Sequence, residues 1–566
     1  MPLLTRWGRE LDPDHPLPEH PRPQLVRETG WLNLNGRWEY AFGGPERPSA
    51  WDGEIVVPFS PETVLSGVGR QLQPDEWLWY RRTGVVVDEV TGSARVLLHF
   101  GAVDQSCTVW VNGTEVGSHT GGYLPFTFDV TDALVPATQT IEVRVRDLSE
   151  TGVHARGKQR LDRGRIWYTA QSGIWQTVWL EAVPDEYVDR LRVVPDLATG
   201  SFTVETTTST GARRTDVVTP DDPHRWTPDD PFLHELELTV GEDTVRTSAA
   251  LRSFGTATDE LGRTRFLLNG EPFAAVGVLD QGYWPDGLLT PPSDAAMVHD
   301  ITTVKELGFT VLRKHVKIEP LRWYHHCDRL GLVVWQDMVN GGGRYRELVT
   351  NLPARRPVRF SDHRYGLFFR SDPDGRTEFR EEVRRTVALL GSTACVAVWT
   401  LFNEGWGQFD ANAIAAEVSS LDPTRSVNAV SGWIDQGGGD VRSLHSYLKP
   451  FRLRRRRRGR RDRRAVALTE YGGYSLPVAG HTAVNPDGTT EEFGYRHFDS
   501  PDELAAGFTA LHREQVEPAL ERGLAATFYT QLTDVEDELN GLLTWDREVQ
   551  KIPTAVVRAA LDRLRR

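Results

Sequence analysis

Two glutamates stand where an apolar run gives way to a loop, and a pair of that kind could cleave a glycosidic bond. VAVWTLF leads into Asn403 and Glu404 within FNEGWG, and AVALTE ends on Glu470 within TEYGG. Breaking a sugar acetal needs one carboxyl group to protonate the leaving oxygen and a second to act as nucleophile, so two acids facing one substrate are the minimal equipment. A single glutamate in such a place reads equally well as an ion-paired or solvated loop residue; two in matching places carry the argument. Asn403, directly before the first acid, is placed to hold a sugar hydroxyl whose hydrogen bond strengthens in the transition state. Arg313, Lys314 and His315 close another apolar run, FTVL, where a cation can pair with Glu470 and keep it ionised. Trp399 and Trp406 are expected to form an apolar wall that helps keep Glu404 protonated.

The elements that must position these residues follow from periodicity. From about Phe254, apolar runs of a few residues alternate with longer amphipathic segments, the pattern of β/α units. The runs are AAVGVL, FTVLR, LVVWQD, VAVWTLF, SVNAV, VRSLHSY, AVALTE and AATFYTQ. Eight runs predict a closed (β/α)8 TIM barrel over residues 254–566, with helices from Ser293 to Lys305, Glu319 to Leu330, Glu378 to Leu390 and Pro501 to Arg522. Catalytic groups in such barrels sit at the C-terminal ends of strands, and the fourth and seventh strands face each other across the mouth. By the same positional rule, Asp280, Gln281 and Tyr283, after the first run, are expected to line it. The long connection after the third run, with GGGRYREL and SDHRYGLFFRSDPDGR, is expected to shape the mouth.

Upstream the period is two. WLNLNGRWEYAF, WLWYRRTGVVV, ARVLLHFGAV, CTVWVNG, TIEVRVRDL and IWQTVWLEAV predict an N-terminal jelly-roll-like β-sandwich over residues 1–184, with a type I′ hairpin at Asn112-Gly113. Residues 185–253 predict a small immunoglobulin-like β-sandwich.

The 566 residues exceed what one hydrophobic core supports, so several domains are expected. A net charge of −14 argues against nucleic acid or an anionic membrane as partner. Cys107, Cys327 and Cys395 are isolated and read as free thiols. No stretch is long and apolar enough to span a membrane, and the polar, proline-rich start lacks a signal-peptide core, so a cytoplasmic enzyme is expected. The eighteen tryptophans suit sugar stacking as well as core packing. One segment goes against the overall charge: Arg452 to Arg464 reads RLRRRRRGRRDRR. With no interleaved aromatics to stack bases it reads as a solvated loop, although its place after the sixth run would also let it draw an acidic glycan to the mouth.

Longer segments carry a resemblance. GGYLPFTFDVTDAL, GIWQTVWLEAV, FLLNGEPF, VLRKHVKIEPLRWYHHCDRLGLVVWQDM, FNEGWG, SLHSY, TEYGG and YTQLTDVEDELNGLLTWDRE are similar to glycoside hydrolase family 2, the family of β-galactosidases, β-glucuronidases and β-mannosidases. The resemblance implies a retaining exo-β-glycosidase with Glu404 as acid/base and Glu470 as nucleophile. It also implies that Arg313, His315, Asn403, His445, Tyr447 and Tyr529 line the sugar subsite. Neither cofactor nor catalytic metal is implied. A carbohydrate is the expected partner; self-association stays open. Three features depart from the family pattern. Thr393-Ala394-Cys395 stands where His-Pro-Ser is usual; Asn540-Gly541-Leu542 stands where glucuronidases carry Asn-x-Lys; and the arginine run is unexpected. A β-galactosidase-like specificity is the leading expectation. The alternatives are an enzyme for an uncommon sugar, a transglycosidase, or a non-catalytic carbohydrate-binding homologue.

Overall fold

The computed structural model describes residues 3–90, 94–345, 360–453, 462–484 and 489–565. Residues 454–461 of the arginine run and residues 346–348 of GGGRYREL lie outside them. The N-terminal sandwich pairs a six-stranded sheet with a four-stranded one. Alternation places the inward residues: along Ser106–Val111 the buried positions are Cys107, Val109 and Val111, which meet Leu98, Phe100, Ile141 and Val143 in one core. Asn112 and Gly113 both take positive φ, 52° and 81°, as the hairpin between Ser106–Val111 and Thr114–Thr120 requires. The next unit is smaller, a three-stranded and a two-stranded sheet closing on Val193, Phe202, Val204, Leu236 and Leu251.

All eight expected barrel strands form, as Ala275–Asp280, Val311–Lys314, Val333–Asp337, Val396–Asn403, Ser426–Ser431, Val441–Ser446, Ala465–Gly472 and Leu524–Thr530. The parallel ladder runs in the order five, four, three, two, one, eight, seven, six. Strands five and six meet through the Ser431 and Ser443 hydroxyls, 3.4 Å apart. Strands covered on both faces are apolar almost throughout, which is why Val396–Asn403 is buried along its whole length. The barrel begins later than its domain boundary suggests: Phe254–Thr258, Thr264–Leu268 and Glu271–Pro272 form a small sheet whose Phe266 packs on Trp335 and floors the barrel.

Helix starts follow their caps. Ser293 Oγ accepts from Ala296 N ahead of Asp294–Glu306, and Asp372 caps Pro373–Leu390, which starts five residues before the expected Glu378. The segment from Pro501 is not one regular helix; a π turn at His512–Val516 interrupts it. The N-terminal segment is not confined to the first sandwich. Thr5 binds Asp286 of the barrel through its backbone N and its hydroxyl, at 2.8 and 2.7 Å, while Arg27 joins Glu181 of the sandwich to Asp243 of the small unit. No helix among the described residues is long and apolar enough to cross a membrane.

Candidate active site

Strand four ends at Asn403, and Glu404 then takes φ 51°, a left-handed conformation that costs a non-glycine residue about 1 kcal/mol. The turn closes with Trp406 N donating to Asn403 O at 2.8 Å. Such strain is tolerated where the surroundings fix the backbone, and here Glu404 N also donates to Ser431 O of strand five. From strand seven, Glu470 enters the same space. Carboxylate oxygens of Glu404 and Glu470 and a ring nitrogen of His445 lie within 4.8 Å of one another. That separation matches a double-displacement pair, in which no water has to fit between the two acids.

Arg313 holds the cluster together. Its five N–H groups are all used: Nε and Nη2 grip Asp337 at 3.1 and 2.8 Å, Nη2 also reaches Asn403 Oδ1 at 2.9 Å, and Nη1 reaches Thr469 O and Glu470 Oε1 at 3.2 and 3.0 Å. One fully buried guanidinium therefore ties strands two, three, four and seven. Because Asn403 accepts from Arg313 through Oδ1, its Nδ2 is left as a donor, buried and without a partner among the described residues. His315 Nδ1 lies 2.8 Å from Asp337 Oδ2. His445 Nδ1 is 2.7 Å from Glu404 Oε1 and 3.3 Å from Glu470 Oε2, and its Nε2 meets Ser431 Oγ at 2.9 Å. Tyr447 donates to Glu470 Oε2 at 2.7 Å, meets Thr530 Oγ1 at 2.9 Å and stacks on Tyr495 with ring centres 3.9 Å apart.

The two acids are driven apart electrically. Burial raises the Glu404 pKa above the usual carboxylate range and the charge of Glu470 adds to this, outweighing the His445 hydrogen bond. Burial would raise Glu470 as well, but His445, Arg313 and His315 and the Tyr447 hydroxyl prevail and bring it down to about 2. A buried acid whose proton is held more tightly, beside a carboxylate kept ionised, is the division of labour that general acid and nucleophile require. The same three groups have the spacing of a cation site. Each is already engaged, however: Glu470 by Arg313 and Tyr447, Glu404 by His445, and His445 by Ser431.

Glu404, Glu470, Arg313, His315, Asn403, Trp406, His445 and Tyr447 thus come together. Trp406 lies 6.1 Å from the His315 ring and keeps its buried Nε1 unpaired among the described residues. Four others stand elsewhere. Tyr529 points into the layer between strands and helices, against Phe508 and His512, because strand eight alternates and its neighbour Thr530 is the inward residue. Asp280 pairs with Lys314 beside Glu319, and Gln281 donates to Gln531 at 2.7 Å. Tyr283 packs on Tyr168 in the core between sandwich and barrel. Trp399 is no wall for Glu404 either: its indole donates to Asp422 on the outer face of strand four. Sequence reasoning missed Asp337, although it closes the run LVVWQD as the other site residues close theirs. It also missed Lys158 and Trp167, which arrive from the sandwich to within 6.0 and 5.0 Å of the Trp406 ring and carry no barrel signal.

The comparisons agree with this architecture. A family profile described as "Glycosyl hydrolase 2 galactose-binding domain-like" matches residues 68–173, and one described as "Glycosyl hydrolases family 2, TIM barrel domain" matches residues 261–457. A β-galactosidase of Vibrio vulnificus is 23% identical over 75% of this chain and 44% of its own length. The chain spans about two-fifths of the length of the first curated relatives it matches. Among solved structures, a β-glucuronidase of an uncultured Clostridium sp. superposes with a TM-score of 0.72 at 16% identity, covering 95% of this chain and 98% of that one. A β-galacturonidase of Eisenbergiella tayi bound to galacturonate gives 0.70 at 16%, covering 96% and 99%. At such identity these two likenesses concern the fold. With both profiles in chain order and their domains folded as sandwich and barrel, the chain belongs to glycoside hydrolase family 2.

Proposed function

We propose that the protein is a retaining exo-β-glycosidase that removes a terminal β-linked sugar, with a β-galactosidase-like specificity as the first substrate class to test. The observation that carries the reading is the pair of carboxylates from strands four and seven, within 4.8 Å of each other and shifted in opposite directions. In the first step Glu404 protonates the glycosidic oxygen while Glu470, ionised and oriented by Arg313 and Tyr447, attacks the anomeric carbon. In the second, Glu404 as carboxylate takes a proton from water, which releases the sugar from Glu470. Asn403 Nδ2 donates to a sugar hydroxyl, the bond that tightens as positive charge develops at the anomeric centre. Trp406, His315, His445 and Tyr447 complete the wall. A carbohydrate substrate and a cytoplasmic location belong to the same reading.

Aryl glycosides separate the two roles. Glu404→Gln should retain far more activity on glycosides with excellent leaving groups, which need no proton, than on alkyl glycosides or disaccharides. Glu470→Gln should lose both. Equal losses from the two substitutions would contradict the assignment.

A further inference from the structure

Lys158 is a sandwich residue in a barrel site. The segment that carries it is pinned on both sides. Arg156 N and Gly157 N both donate to Asn340 O of the barrel, at 2.8 and 3.0 Å, and Gln159 Nε2 donates to Asp104 and Tyr123 of the sandwich. Gly157 takes φ 61° against the barrel backbone, where a Cβ would come within 2.9 Å of Val316 O, so only glycine lets the segment approach this closely. The ammonium so placed is buried, 6.0 Å from the centre of the Trp406 ring, and its charge reaches both Glu404 and His315.

Its bonding is incomplete. Of its three N–H groups, one has a hydrogen-bond partner among the described residues, the Tyr168 hydroxyl at 3.4 Å. Glu538, from the segment after strand eight, stands 3.8 Å away, too far for a direct hydrogen bond. Glu538 is itself held in place, accepting from the Tyr168 hydroxyl and from Asn540 Nδ2 at 3.1 Å. Nearby, Trp406 Nε1 and Asn540 Oδ1 are buried and unpartnered. A donor and an acceptor held about one hydroxyl apart, among orphaned donors and acceptors, is a seat for a group that gives and takes a hydrogen bond at once.

We propose that Lys158 and Glu538 together read one hydroxyl of the terminal sugar, and that this sugar is uncharged. The inference rests on the glycosidase reading and narrows its substrate class. A ring hydroxyl accepts from the ammonium and donates to the carboxylate, satisfying both. A sugar carboxylate could only accept, and it would add an anion beside Glu536, Asp537 and Glu538, three carboxylates whose nearby cations are Lys158 and Arg163. Arg160 and Arg165 of the same segment lie over the faces of Trp167 and Phe493.

The test compares 4-nitrophenyl β-galactoside and β-glucoside with the matching β-galacturonide and β-glucuronide, and with 4-deoxy and 6-deoxy analogues of the better neutral substrate. The full-length wild type, Lys158→Met and Glu538→Gln are assayed on each. The wild type should favour the neutral glycoside by about a hundredfold or more in kcat/KM, the scale on which a site built for one polar group rejects another. Lys158→Met should lose about ten- to a hundredfold on the parent glycoside, yet stay within about threefold of wild type on the analogue lacking the contacted hydroxyl. Glu538→Gln should show the same selectivity. A wild type that prefers uronides overturns the inference and makes Lys158 a carboxylate clamp. Equal losses on every deoxy analogue also overturn it, reducing the pair to a structural tie. Absence of turnover on all these glycosides would remove the activity reading and this inference with it, whereas turnover with the wrong pattern removes the inference alone.

Discussion

Glu404 and Glu470 meet in one buried cluster, yet their pKa values are shifted in opposite directions, because Arg313, His445, His315 and the Tyr447 hydroxyl favour the ionised form of Glu470. The pH dependence follows with a definite sign. The reactive form needs Glu470 ionised and Glu404 protonated, so kcat/KM should fall as pH drops towards about 2 and fall again as pH rises past the elevated Glu404 value. His445 lowers both pKa values, so His445→Phe should move both limbs of the profile upward; limbs that stay in place would contradict the electrostatic account. Tyr447→Phe removes a hydrogen bond to a charged oxygen and should lower kcat by about ten- to a hundredfold with little change in thermal stability. Arg313→Met is different in kind. It strands Asp337 and Glu470 without their buried cation, and chemical denaturation should report a loss of about 3–5 kcal/mol. Much at this scale was legible, since residues that close apolar runs arrive at the mouth together. Where the reading slipped, the cause was side-chain direction. Tyr529 and Trp399 sit on the outward face of strands whose inward neighbours do the work, and a run apolar on both faces gives no sign of which is which.

At the scale of elements, strand ends set the geometry. Gly432, just after strand five, has φ 86°, and a Cβ there would lie 2.8 Å from His445 Nδ1, the atom that bonds Glu404. Gly432→Ala should therefore displace the imidazole and cut kcat/KM by about a hundredfold, the scale of a 1 Å misplacement in an active site. A variant that keeps wild-type kinetics would show that His445 is not held by this packing. The eight strands were readable because parallel strands covered on both faces must be apolar runs, and the helix caps at Ser293 and Asp372 carry their own chemistry. The π turn at His512–Val516 was not readable. His512 is drawn inward, with Nε2 2.9 Å from the Tyr471 hydroxyl on strand seven, a tertiary contact with no periodic trace in the sequence. The floor sheet of residues 254–272 reads as barrel by position, yet its alternation belongs to a hairpin.

In the whole molecule the sandwich and barrel form one working unit. Tyr123, Tyr168 and Trp175 of the first share a core with Tyr283, Ile318 and Trp545 of the second, and Arg163, Tyr168 and Thr169 bind the carboxylates of Asp537, Glu538 and Glu536. Calorimetry should accordingly give sandwich and barrel one shared unfolding transition; two well-separated transitions would show the contact to be a weak docking. Composition and period revealed the domains but not that the segment around residues 155–169 crosses between them, since its partners are hundreds of residues away. The central claim is that Glu470 carries the sugar between the two steps. Incubation with an activated 2-deoxy-2-fluoro β-galactoside, followed by intact-mass and peptide analysis, tests it most directly. The account predicts one fluorinated glycosyl group per chain, attached to Glu470; a label on any other residue, or release of a product with inverted anomeric configuration, would contradict it.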